Sequence, residues 1–170
     1  MQFSRPSFDA MVAAYDTDPE SVHACPALHT KNPVNVNTCA IRMGEALVIA
    51  NGLVADRDEI EALTRGSGAG HAFLLGRYGY RALLCPHGIS RGAHDVADFL
   101  RAQWGAPSRA WTSQEDGETA PEDAQGRKGV IAFVGIPTFS GQGHVDLWNV
   151  EGPVGHQYWN SREILLWDLS

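Results

Sequence analysis

Apolar positions recur at helical spacing through the first two thirds of the chain and give way to short, closely spaced strand-like runs in the last third. Phe8, Met11, Val12 and Tyr15 fall on one face behind a capping Ser7, which predicts a short packing helix ended by Pro19. Ile41, Leu47 and Val48 repeat at a similar period behind Asn37 and Thr38, either of which can cap, and Gly52 supplies a left-handed stop. This second helix is expected to be amphipathic. From Asp56 to Arg65 the charges line one face and Ile60 and Leu63 the other. Gly92 to Trp104 is the most regular helical stretch, with Val96, Phe99, Leu100 and Trp104 inward and Gly105 and Pro107 closing it. Pro19 to Val36 and Gly66 to Gly70 have no period and read as loops, and His71 to Leu84 alternates weakly, as one or two short strands would.

Thr112 to Lys128 is acidic, bears glycine and almost lacks large apolar residues, so it reads as a surface loop. The texture then turns to strand: Val130 to Ile136, His144 to Asn149, a short His156 to Trp159, and Glu163 to Leu169, with turn residues between. Such spacing predicts an antiparallel meander covered on one face by the helices that precede it. The expected class is α+β, with N-terminal helices packed on a C-terminal antiparallel sheet.

Composition narrows the function. At 170 residues, with 44% hydrophobic and 19% charged positions, the chain is expected to form one globular domain over 1–170. A net charge of −7 and the lack of any basic run argue against nucleic acid or an anionic membrane as partner. No apolar segment approaches the roughly 20 residues of a membrane span, and the N-terminus lacks the apolar core of a secretory signal, so synthesis as a soluble cytoplasmic protein is expected. Three cysteines, Cys25, Cys39 and Cys85, are too few for a disulfide scaffold; an oxidising compartment would allow a Cys25–Cys85 bridge and leave Cys39 over. His23, Cys25 and His29, with Cys85 and His87 far along the chain, could suggest a metal-dependent hydrolase, but the tight paired spacing of a zinc ribbon is absent and a histidine-bearing loop is the preferred reading. Neither a metal nor another cofactor is expected. The glycine run at 66–70 is not followed by the Lys-Ser/Thr pair of a phosphate loop.

Cys39 stands where a polar loop turns into a helix. The partial positive charge of a helix N-terminus favours a thiolate, the nucleophile of cysteine acyl transfer. Such a thiolate needs an imidazole to take and return its proton and a third group to orient that imidazole. His144 is the best placed of seven histidines, because Gly143 closes a tight loop and His144 opens a strand at the rim of the expected sheet. Alternation puts Asp146 and Trp148 on the same face. His156, opening the next strand, would sit beside His144 if the two strands pair, and is the preferred third member. Asp146 is its rival, some ~6.5 Å further along the same strand, and Glu151 is the remaining acid. Arg42, one turn into the helix, could meet a substrate carboxylate, but is expected instead to lie on the exposed helix face and pair with Glu45.

Four segments, Arg5-Pro6-Ser7-Phe8, Asn37-Thr38-Cys39-Ala40-Ile41-Arg42-Met43, Lys128-Gly129-Val130-Ile131 and Gly143-His144-Val145-Asp146-Leu147-Trp148-Asn149, together resemble the fourth family of type VI secretion amidase effectors, in the same order over essentially the whole chain. The resemblance implies a papain-like fold of the NlpC type. It implies a cysteine endopeptidase that cuts peptidoglycan stem peptides between D-glutamate, through its γ-carboxyl, and meso-diaminopimelate. It further implies a toxin held in the producer's cytoplasm, carried by a type VI secretion component into the periplasm of a rival Gram-negative cell, and countered by a cognate immunity protein. Cys39 would be nucleophile and His144 base. The family's usual third member is an aspartate shortly after the histidine strand, often flanked by cysteines. Here that aspartate and those cysteines are missing, and His156 falls close to the slot, as in the wider NlpC pattern. A non-catalytic wall-binding or partner-binding domain of the same fold is the remaining reading.

Overall fold

The computed structural model describes residues 3–18, 25, 38–67, 84–85 and 87–170. The loop expected from Pro19 to Val36, apart from Cys25, and the strands expected between His71 and Leu83 lie outside the described residues. Helix α1 (Phe8–Ala14) is capped by Ser7, whose hydroxyl accepts from the Ala10 N–H at 3.2 Å. Phe8, Met11 and Tyr15 turn inward as expected, but Val12 is 47% exposed, because the buried face continues through Ala14 instead.

Helix α2 (Cys39–Ala50) is not amphipathic. Every residue from Cys39 to Val48 is buried, since the helix packs against α1 on one side and the sheet on another. Its two charged residues, Arg42 and Glu45, are satisfied by neighbours rather than by each other. Glu45 accepts from the Cys25 N–H at 3.2 Å and from Arg57 Nε at 3.3 Å, and Arg57 also donates to the Ala14 carbonyl at 2.7 Å. Burial, opposed by Arg57, raises the Glu45 pKa to about 8. Asn51 and then Gly52, at φ +68°, end the helix. Helix α3 (Arg57–Ser67) buries Ile60, and α4 (Ala93–Trp104) buries Val96, Phe99 and Leu100 before Gly105 turns the chain at φ +81°.

Strands β1 (Arg109–Thr112), β2 (Gly129–Val134), β3 (Gly143–Asn149), β4 (Gly152–Pro153) and β5 (Glu163–Asp168) form one antiparallel sheet in the order β1-β5-β2-β3-β4. It is not the simple meander expected, because β5 returns to lie between β1 and β2. Nor does His156 to Trp159 form a strand: β4 lies just before it, and Trp159 instead exchanges backbone hydrogen bonds with Gln114 and Gly117, at 2.8 Å each. Both faces of the sheet are covered. Val130, Ala132, Val134, Val145, Leu147, Leu165 and Trp167 meet the helices, whereas Ile131, Phe133, Trp148, Ile164 and Leu166 pack with Trp159 and Ala124 on the far side. This is why β2 is buried at every position. Among the described residues no helix is long and apolar enough to cross a membrane.

Candidate active site

Thr38 precedes α2 with helical torsions and makes no side-chain cap, so its hydroxyl is available to accept from Arg42 Nε at 3.3 Å. Cys39 is therefore the first helical residue, where backbone N–H groups have no partner within the helix. The facing wall is built from β3. Gly143, at φ +136°, opens that strand against Val134, and a Cβ there would lie 2.1 Å from the Phe133 carbonyl oxygen. Only glycine fits, and the next residue is His144.

Cys39 and His144 share a side-chain hydrogen bond. His144 Nε2 stands 3.4 Å from Asp146 Oδ2, while Asp146 Oδ1 accepts from the Leu147 N–H at 2.8 Å. The imidazole is held by rings: Phe133 stacks at 6.4 Å between centroids, and Tyr158 and His156 meet it edge-on at 5.4 and 6.3 Å. Burial acts to lower the His144 pKa, but the hydrogen bonds to Asp146 and Cys39, with the charges on both, hold it up at about 9. His144 thus carries its proton at neutral pH. Asp146 is buried, and burial, followed by the Asp146 charge, pushes the nearby Tyr15 phenol well above its ordinary range.

A cleft of about 510 Å³ opens over these groups, with Cys39, Arg42, His144, Asp146, His156 and Tyr158 in its lining and the half-exposed Phe139 and Val154 at its apolar edge. Arg42 is not on an exposed face. It is 5% exposed, donates to the Asp16 carbonyl at 2.8 Å and lies 5.4 Å from the Tyr15 ring centre, presenting a cation to the cleft. Glu45, its expected partner, is engaged by Arg57. Glu151 lines a different hollow, with Glu118, Gln125 and Trp148. Of the metal candidates, His23 and His29 lie outside the described residues. Cys25, Cys85 and His87 come together, but none of the three lines the cleft. No cysteine is in a disulfide, so a Cys25–Cys85 bridge is not formed.

Two features of the site carry no readable signal in the sequence. Gly155 backs onto the Asp146 carboxylate so closely that a Cβ would fall 2.3 Å from Oδ2. The period of Tyr15 assigns its ring to helix packing and says nothing of where its hydroxyl ends.

A family model for the type VI secretion system amidase effector protein 4 matches residues 35–167. Among solved structures, the type VI effector–immunity complex Tae4–Tai4 from Salmonella Typhimurium is similar at 19% identity and a TM-score of 0.66, covering 98% of this chain and 100% of that one. The effector Tae4 from Enterobacter cloacae is similar at 18% identity and a TM-score of 0.64, with both chains covered in full. The Tae4–Tai4 complex from Enterobacter cloacae is similar at 16% identity and a TM-score of 0.63, over 98% of this chain and 100% of that one. No curated protein matches the chain.

Proposed function

Because this chain belongs to the type VI secretion system amidase effector protein 4 family, we propose that its amide-cleaving centre is Cys39 with His144, oriented by Asp146. The observation that carries this reading is the hydrogen bond between the sulfur of Cys39, at a helix N-terminus, and the imidazole of His144, at the rim of the sheet, beneath an open cleft. The Cys39 thiolate attacks the scissile carbonyl carbon. The backbone N–H of Cys39, at the N-terminus of α2, holds the oxyanion. His144, protonated at neutral pH, gives its proton to the leaving amine, the C–N bond breaks, and an acyl-enzyme remains. Water activated by the now neutral imidazole releases the acid and restores the pair.

The substrate is a peptidoglycan stem peptide, cut between the γ-carboxyl of D-glutamate and meso-diaminopimelate, in the periplasm of a target Gram-negative cell. Arg42 in the cleft wall suits such a substrate, which carries free carboxylates. A Tai4-type immunity protein is the expected partner, since the similar effectors are found in complex with one. His156, a cleft residue edge-on to His144, completes the aromatic enclosure of the imidazole, while the carboxylate within hydrogen-bond reach of that ring is Asp146.

Purified Gram-negative sacculi digested with wild type and with Cys39→Ala test the proposal. Fragments ending in a free γ-D-glutamyl carboxyl are expected from wild type, and a rate at least ~10³-fold lower from the mutant. Equal digestion by the two proteins would overturn it.

A further inference from the structure

We infer that Cys25, Cys85 and His87 form a buried binding site for one soft divalent metal ion of the zinc class, separate from the Cys39 centre. The three residues come from two stretches of chain far apart in sequence. Cys85 and His87 are presented by one tight turn, in which the Cys85 N–H donates to the Ile89 carbonyl at 2.8 Å and the Gly88 N–H, at φ +84°, to the Cys85 carbonyl at 3.0 Å. Cys25 faces them with its backbone at φ +60°, a conformation few side chains adopt, and its N–H is held by Glu45 of α2.

One ligand atom from each residue lies within 4.8 Å of the other two, and Cys25 Sγ is 3.8 Å from His87 Nδ1. Tetrahedral zinc, with Zn–S near 2.3 Å and Zn–N near 2.0 Å, separates its ligand atoms by about 3.5–4 Å, so small inward shifts suffice. The residues are 1%, 2% and 3% exposed, so the site is closed to bulk water. The ring nitrogen that faces Cys25 is His87 Nδ1, and it is this atom that would ligate the ion.

A Cys25–Cys85 disulfide would use both sulfurs and leave His87 Nδ1 without a ligand. A divalent cation takes up two thiolates and one neutral imidazole, releases two protons and buries no net charge. One tetrahedral position remains for a further donor or water. The ion would tie Cys25, and through it Glu45 on α2, to the turn that leads into α4.

The test is titration of the reduced full chain with cobalt(II), then zinc(II). The expected result is one cobalt per chain, with thiolate-to-cobalt charge-transfer absorption that zinc abolishes, and a rise in thermal midpoint on adding zinc. Cys39→Ala must keep both, because the proposed active site is elsewhere; Cys85→Ser and His87→Gln must lose both. Should Cys85→Ser fail to fold by circular dichroism, His87→Gln and the wild-type stoichiometry still decide. Failure of the reduced wild type to bind cobalt, persistence of the thiolate band in folded His87→Gln, or its loss in Cys39→Ala would each overturn the inference.

Discussion

The proton on His144 sets the upper pH limit of the proposed reaction. Desolvation works against that proton, yet the contacts to Asp146 and Cys39 hold it to about pH 9. The basic limb of kcat/KM is therefore expected near pH 9 for wild type, and lower, toward the ordinary imidazole value near 6.5, in Asp146→Asn. His156→Ala, which removes a ring contact and no hydrogen bond to His144, should leave the limb nearly in place. If Asp146→Asn kept the wild-type limb and His156→Ala shifted it, the orienting role would pass to His156. Gly155 provides a second measure at this scale. Its missing Cβ is what leaves room for Asp146 Oδ2, so Gly155→Ala should displace the carboxylate and lower activity by about 10²-fold. The residue is exposed and the thermal midpoint should barely move. The placement of Cys39 and His144 is readable in the sequence because it is tied to local features, a helix start and a glycine-led strand. The setting of Arg42 is not, because its surroundings come from the segment after α1, which no local pattern specifies.

At the scale of elements, the loop between β2 and β3 links the geometry of the proposed active site to helix stability. Gln142, one residue before Gly143, receives the Asp95 N–H on Oε1 and donates from Nε2 to Asp95 Oδ2, both at 3.0 Å, and so caps α4 from outside. The close seat of this side chain against Gly92, where a Cβ would lie 2.1 Å from Gln142 Oε1, holds the loop end in place. Gln142→Ala is expected to cost about 1 kcal/mol in urea denaturation, in the range of a lost cap, and to raise KM as the cleft edge at Phe139 loosens. An unchanged denaturation midpoint would show that the cap adds nothing. The same scale explains which elements are legible. The helices and the strands β2, β3 and β5 carry apolar runs long enough to announce themselves. Strand β1 is largely exposed and pairs only along one edge with β5, so its Arg-Ala-Trp-Thr sequence gives little strand signal. Residues 156–159 mislead for the opposite reason. Trp159 and Tyr158 look like alternating strand positions, but they serve as a plug against Phe133 and Trp148 on the far face of the sheet.

For the whole molecule, helix-then-sheet order is plain from the change in period, whereas strand order is not, because placing β5 between β1 and β2 depends on pairings that no local pattern encodes. The fold that results has helices on one face of the sheet and an acidic loop with the Trp159 segment on the other, and among the groups whose protonated forms it favours two titrate between pH 4.5 and 9, Glu45 and His144. Glu45 is raised to about 8 by burial, and His144, which burial lowers, is held at about 9 by its contacts with Asp146 and Cys39. The signs agree. Between about pH 4.5 and 8 the unfolded chain gives up the Glu45 proton while the native chain retains it, and between about 6.5 and 9 the same holds for His144. In both windows the native state binds more protons, so stability must fall as pH rises. The urea midpoint at constant ionic strength is expected to be higher at pH 5 than at pH 8.5. Glu45→Gln, which removes the first titration but retains a carbonyl oxygen for the Cys25 N–H, should flatten the slope below pH 7 and leave the upper part, due to His144, largely intact. A midpoint that climbed from pH 5 to 8.5 would mean that Glu45 and His144 are ionised in the fold much as they are in the unfolded chain, and would leave the imidazolium of the proposed mechanism without its support.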